Sequence, residues 1–103
     1  MKIRELREKF VRKGVNYTQK EKNNEFVIYE CKDEEHNNTY YEVFKYKLAN
    51  PHPLDEGNYD KIEVYPSDNQ FGVTGWCCSC KNSLKRVLKS HFNSDFDIDK
   101  IID

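Results

Sequence analysis

Three cysteines, Cys77, Cys78 and Cys80, stand together before a basic helical pattern in GWCCSCKNSLKRVLKSHF, residues 75 to 92. Trp76, Cys77, Cys80 and Lys81 match the W-C-x-x-C-K pattern of a thioredoxin site. That chemistry works when the first cysteine sits at a helix N-terminus, where unpaired N–H groups and the helix dipole favour thiolate. Against it, only 23 residues follow Cys80 and none is proline. The thioredoxin fold needs further strands and a cis-proline loop after its motif. The alternative reading makes Cys77 and Cys80 inward-facing small hydrophobes at a strand-to-helix junction, with Cys78 on the opposite face and partly exposed.

Cys31 and His36, taken with Cys77 and Cys80, also give a ligand set that zinc accepts in tetrahedral geometry. Yet Cys31 reads as strand and His36 as a charged turn, whereas zinc knuckles present each ligand pair on a tight turn. His52 and His91 belong to no catalytic or metal motif, and no phosphate loop or nucleophile elbow occurs. The sequence therefore implies no enzyme and no cofactor.

These residues need elements to hold them. A chain of 103 residues with 34% charged and 14% aromatic side chains reads as one globular domain, 1–103, with a strongly charged surface. Ile3, Leu6 and Phe10 at helical spacing, followed by Gly14, predict a basic N-terminal helix over 1–15. Residues 16–25 read as a loop. FVIYECK (26–32) and TYYEVFKYKL (39–48) predict a hairpin, with Glu42 interrupting an apolar face and placing that end near solvent. KIEVYP (61–66) and QFGVTGWC (70–77) supply two more strands, with Phe71 and Trp76 filling the space over Gly72 and Gly75. Cys80, Leu84, Val87, Leu88, His91 and Phe92 form the stripe of an amphipathic helix over 79–92, with Ser79 as its N-cap. The expected class is α+β: a helix, a four-stranded antiparallel sheet over 26–78, a second helix on one face, and an acidic tail over 93–103.

Charge is unevenly placed. Residues 1–13 carry six basic side chains against Glu5 and Glu8, and 93–103 carry four Asp against Lys100. No apolar run reaches a membrane span and no signal-peptide block is present, which predicts a cytoplasmic protein with reduced thiols, without a membrane partner.

YEVFKYKL (41–48) and IEVYPSDNQFGVTGWCCSCKNSLKRVLKSHF (62–92) together resemble a family of small proteins of bacteriophages and other mobile elements. The matching positions are Tyr41, Glu42, Val43, Phe44, Glu63, Tyr65, Pro66, Ser67, Phe71, Gly72 and Trp76. This resemblance implies a non-enzymatic binding module in a bacterial host cell, with a host protein or nucleoprotein complex as partner and with inhibition of a nuclease or defence complex, anti-CRISPR activity included, as its role. The acidic candidates for that interaction are Asp33, Glu34, Glu35, Asp55, Glu56, Asp95, Asp97 and Asp99, imitating nucleic-acid phosphates. Arg4 and Arg7 are the basic candidates for an acidic partner, and nucleic acid itself is the alternative partner for the basic N-terminus. Oligomeric state is not legible.

Overall fold

A computed structural model describes residues 2–52, 57–65 and 74–102. Among them are eight strands in two sheets and one α-helix at the C-terminal end, with no helix at the N-terminus. The strands are β1 (Ile3–Arg4), β2 (Lys9–Arg12), β3 (Val15–Lys22), β4 (Val27–Asp33), β5 (Asn38–Phe44), β6 (Lys47–Ala49), β7 (Lys61–Val64) and β8 (Gly75–Cys78). The helix, α1, covers Lys81–Phe92, and a short 3-10 turn covers Ile98–Lys100. The larger sheet is antiparallel throughout, in the order β2-β3-β4-β5-β8, and the smaller has the order β1-β7-β6, with β1 and β7 parallel.

The expected N-terminal helix and four-stranded sheet are thus replaced by a mostly β architecture with a five-stranded sheet. Gly14 is the reason. Instead of stopping a helix, it joins Lys13 in a two-residue hairpin turn between β2 and β3, with φ of 51° at Lys13 and 78° at Gly14. Positive φ at both central residues is the type I′ arrangement, whose twist suits a hairpin. The strand period then turns Phe10 and Arg12 to one side and leaves Val11 68% exposed on the other. The polar stretch expected as a loop after Gly14 is β3, an inner strand whose Tyr17 is buried. KIEV, expected in the main sheet, belongs to the small sheet as β7.

The expected hairpin is present as β4 and β5, in register from Val27 with Phe44 to Asp33 with Asn38, but its second strand ends at Phe44: Lys47 and Leu48, expected to continue it, belong to β6 of the small sheet. The hairpin turn holds Asn37 at φ 49°. The Asp33 carboxylate accepts from the His36 backbone N–H and lies 2.8 Å from the His36 ring.

Two cores form on opposite faces of the five-stranded sheet. On one, Phe26, Ile28, Val43 and Cys78 pack against Leu84 and Leu88 of α1 and against Ile98 and Ile102 of the tail. Trp76 stacks on His91 with ring centroids 4.3 Å apart and meets the edge of Phe92. On the other face, Tyr17, Val27, Tyr29, Cys31 and Phe44 are buried beneath Leu6, Phe10 and Tyr65. Helix α1 ends at Asn93, which adopts the left-handed conformation common at this position. Phe71 and Gly72, expected as anchors with Gly75 and Trp76, lie outside the described residues, as do Pro66, Ser67, Asp55 and Glu56.

Candidate functional site: an arginine-lined groove at the junction of the two sheets

The link from β1 to β2 crosses between the two sheets and is pinned at each step. Leu6 N–H donates to Glu63 Oε1 on β7 at 3.0 Å. The Tyr29 hydroxyl donates to the Arg7 carbonyl at 2.6 Å, and Gln19 N–H donates to the Glu8 carbonyl at 2.7 Å. Lys22 of β3 reaches both Glu63 at 2.8 Å and Glu5 at 3.1 Å. Burial by itself would lower the Lys22 ammonium, but the hydrogen bonds to Glu63 and Glu5 more than reverse this and raise it above its usual range.

A cavity of about 610 Å³ opens along this pinned segment. Arg4, Arg7 and Arg12 supply its charge, Leu6, Phe10 and Tyr65 its apolar wall, and Glu5 and Glu63 its acidic margin. The Arg12 guanidinium lies 5.2 Å from the centre of the Tyr65 ring. The rings of the wall pack against the core: Phe10 stacks on Tyr17 at 4.6 Å and Tyr65 meets Phe44 edge-on at 4.7 Å. Among the described lining residues three arginines stand against two glutamates, so that lining is net basic, and the volume is that of a ligand or side-chain binding cleft.

Two residues expected as basic contacts, Arg4 and Arg7, are therefore brought together, on a β strand and a loop rather than on a helix. Arg12 and Tyr65 complete the groove. The pairing was concealed by the helical spacing of Ile3, Leu6 and Phe10; the signal available was Lys13-Gly14 between two alternating segments.

The acidic candidates are dispersed and partly committed. Asp33 holds its turn, and its hydrogen bond to the His36 ring keeps its carboxyl below the usual range. Glu34 and Glu35 are exposed on that turn. In the tail, Asp97 caps the 3-10 turn by accepting from Asp99 N–H at 3.0 Å. Asp99 bridges Lys81 at 2.5 Å and Lys85 at 3.2 Å, contacts that depress its pKa. Asp95 is exposed. The tail thus lies along α1 with Asp97 and Asp99 already engaged.

Cys77, Cys78 and Cys80 sit opposite to expectation. Cys77 and Cys80 are exposed, whereas Cys78 and Cys31 are buried, because β8 turns Trp76 and Cys78 toward α1 and the helix begins at Lys81 with Cys80, not Ser79, at its N-cap. Cys77 therefore lies in the strand, three residues before the position where a helix N-terminus activates a thiol. Cys80 Sγ is 3.3 Å from Ser83 Oγ, a contact that lowers its pKa below the ordinary thiol value. Burial pushes Cys78 up to about 12 and raises Cys31 and Cys77 as well. Cys31, His36, Cys77 and Cys80 are not assembled: Cys31 lies under the aromatic core while His36 is on the exposed hairpin turn. Among the described residues no group of three or more His, Cys, Asp or Glu is placed to hold a metal ion. Nor is any helix among them long and apolar enough to cross a membrane.

Glu42, expected near solvent, is only 6% exposed and accepts from the Tyr17 hydroxyl at 3.2 Å. The chain matches no protein-family model, no curated protein and no solved structure.

Proposed function

We propose that this protein is a non-enzymatic binding module whose arginine-lined groove receives an acidic segment of a protein partner. The observation that carries this reading is the convergence of Arg4, Arg7 and Arg12 on one cavity whose backbone is held by Glu63 and Tyr29, with Lys22 bridging the Glu5 and Glu63 side chains. A fixed backbone lowers the ordering cost of binding, and guanidinium groups pair with carboxylates in a bidentate geometry. The resemblance of 41–48 and 62–92 to phage and mobile-element proteins supports a host protein as that partner, with inhibition of a host complex as the consequence.

A protein segment suits the groove better than a nucleic acid. Single-stranded nucleic acid is held by a basic track together with open aromatic faces for its bases. Here Phe10 and Tyr65 are packed against Tyr17, Phe44 and Arg12, and Glu5 and Glu63 interrupt any continuous basic track.

The test is fluorescence anisotropy with a labelled oligoglutamate peptide and, in parallel, a labelled oligothymidylate. The peptide is expected to bind with an affinity that falls as salt rises, and Arg7→Glu, an exposed change, to weaken it about tenfold or more. Tighter binding of the oligonucleotide, also lost in Arg7→Glu, would replace the protein partner by a nucleic acid. Absence of binding by either probe would refute the groove.

A further inference from the structure

The groove is bordered by main chain as well as by side chains. Strand β2 stands last in the order of the five-stranded sheet, and among the described residues no strand pairs with its outer side. Which of its peptide groups face outward follows from the register. Gln19 N–H donates to the Glu8 carbonyl, and the ladder of β2 with β3 continues from Lys9 with Thr18 to Arg12 with Val15. Hydrogen-bonded and non-hydrogen-bonded pairs alternate along an antiparallel ladder. Glu8, Phe10 and Arg12 therefore turn their peptide groups to β3, whereas Lys9 and Val11 turn theirs to the outer edge. The side chains of Lys9 and Val11 are exposed as well, on the face away from the groove.

A bare edge is a template for another strand, and charge along it decides which strand is admitted. Here Arg7, Lys9, Arg12 and Lys13 stand against Glu8. A second copy of the chain pairing edge to edge would set these cations against their own counterparts, and like charges across a ladder repel. An acidic strand meets the opposite field. We propose that the acidic partner segment adds to β2 as a sixth strand of the large sheet, its peptide groups pairing with those of Lys9 and Val11. This rests on the groove reading above and specifies how the segment lies. Alternate side chains of an added strand point to opposite faces, so one set enters the groove beside Phe10 and Arg12 and the other lies beside Lys9 and Val11. The recognised sequence is accordingly an alternating one, with carboxylates for the groove and a β-branched residue against Val11.

The test uses the labelled peptide Glu-Val-Glu-Val-Glu-Val-Glu-amide and two versions of it, one N-methylated at every Val and one at every internal Glu. Only one alternate set of peptide N–H groups faces β2, so anisotropy is expected to show about a tenfold or greater loss for one methylated version and little change for the other. In residue-resolved amide exchange by NMR, Lys9 and Val11 are expected to exchange freely in the protein alone. At ten times the peptide's dissociation constant they should slow about tenfold, while Phe10 and Arg12 are protected throughout. Val11→Pro deletes one outward N–H at an edge position that tolerates proline and is expected to weaken the peptide about tenfold. The methylated peptides act on the unaltered protein, so the result does not hang on that variant's fold. Binding that Arg7→Glu abolishes, but that both methylated versions retain and that leaves Lys9 and Val11 unprotected, would overturn the added strand and keep the groove. Absence of binding by this peptide and by oligoglutamate would overturn both. Protection of Lys9 and Val11 in the protein alone that grows with its concentration would give the edge to a second copy and overturn the acidic strand.

Discussion

The two faces of the five-stranded sheet are built from different materials. The face under α1 is filled mainly by aliphatic side chains, Ile28, Val43, Leu84, Leu88, Ile98 and Ile102, with Phe26 and Cys78 among them and Trp76 and Phe92 packed at the margin. The opposite face is filled by Tyr17, Tyr29, Phe44, Phe10 and Tyr65, several of which carry hydroxyls, and it admits the Glu42 carboxylate. Aliphatic packing depends on volume alone, whereas a polar, aromatic core holds only while each hydroxyl and charge keeps its partner. Two concavities open at the polar face, the arginine groove at its β2 end and a smaller one at its β8 end. The division of labour is therefore between a face that secures the fold and a face whose buried polar groups reach the surface.

The largest difference available is in thiol chemistry, and it tests whether both faces are dry. Cys78 under the helix and Cys31 under the aromatic cluster are expected to resist alkylation in the native state while Cys80 reacts readily. With Cys78 pushed up to about 12, its thiolate population alone falls about a thousandfold below that of an ordinary thiol. Rapid native-state labelling of either buried cysteine, measured by mass spectrometry, would show that its face is open. On the aliphatic side, Leu88→Ala should cost about 2–5 kcal/mol in urea denaturation, because it empties volume at a fully buried site. Binding at the arginine groove should survive under conditions where the variant stays folded.

On the polar side the expected losses are smaller and more specific. Lys22→Met removes the ammonium between Glu5 and a Glu63 side chain that is only 7% exposed. A cost of about 2–3 kcal/mol is expected, as for a mostly buried charge deprived of its partner. Because the folded state raises the Lys22 pKa, the contribution is complete below the unfolded lysine value of about 10.4 and is lost as pH rises through the folded one. The wild-type melting temperature should therefore fall on the alkaline side in a way that Lys22→Met lacks. Tyr17→Phe takes away the hydroxyl that donates to Glu42 and should cost about 1–2 kcal/mol by denaturant titration. A neutral outcome would mean that Glu42 does not depend on that bond.

The smallest effect belongs to the surface pair joining tail and helix. Asp99 has its pKa lowered by Lys81 and Lys85, so its contribution is present above the unfolded aspartate value of about 3.9 and disappears as pH falls through the folded one. Asp99→Asn should lower the melting temperature slightly at neutral pH and leave it unchanged at the acid extreme. A large neutral-pH effect would mean that the tail matters to the aliphatic core through more than Ile98 and Ile102.

Local pattern was legible in the sequence where one period dominated. The alternation of 39–44, the hairpin with 26–32 and the stripe of Leu84 and Leu88 all correspond to observed elements, because in each the burial pattern and the backbone period agree. The N-terminal third misled because Ile3, Leu6 and Phe10 satisfy a helical spacing by coincidence, while the decisive residues are Lys13 and Gly14 in a turn that only the strand partners reveal. The polar content of β3 concealed an inner strand, since much of what it offers the core is the tyrosine ring and glutamine of Tyr17 and Gln19. Glu42 reads as a surface residue in any one-dimensional pattern. Its burial depends on Tyr17 and on the opposing Cys77, contacts set 25 or more residues away. The groove was half legible: the basic residues were visible, but their convergence depends on β7, which supplies Glu63 and precedes Tyr65.

Strand β8 enters the large sheet next to β5 only after the chain has left to build β6 and β7. Strands β2 to β5 are joined to their neighbours by short turns and form nearest-neighbour hairpins, so little loop entropy opposes their pairing. The pairing of β8, by contrast, must close a loop spanning Phe44 to Gly75, and α1 is attached behind it. The entropy of ordering the sheet is concentrated in that single seam, and Trp76, the chain's one tryptophan, stands on it.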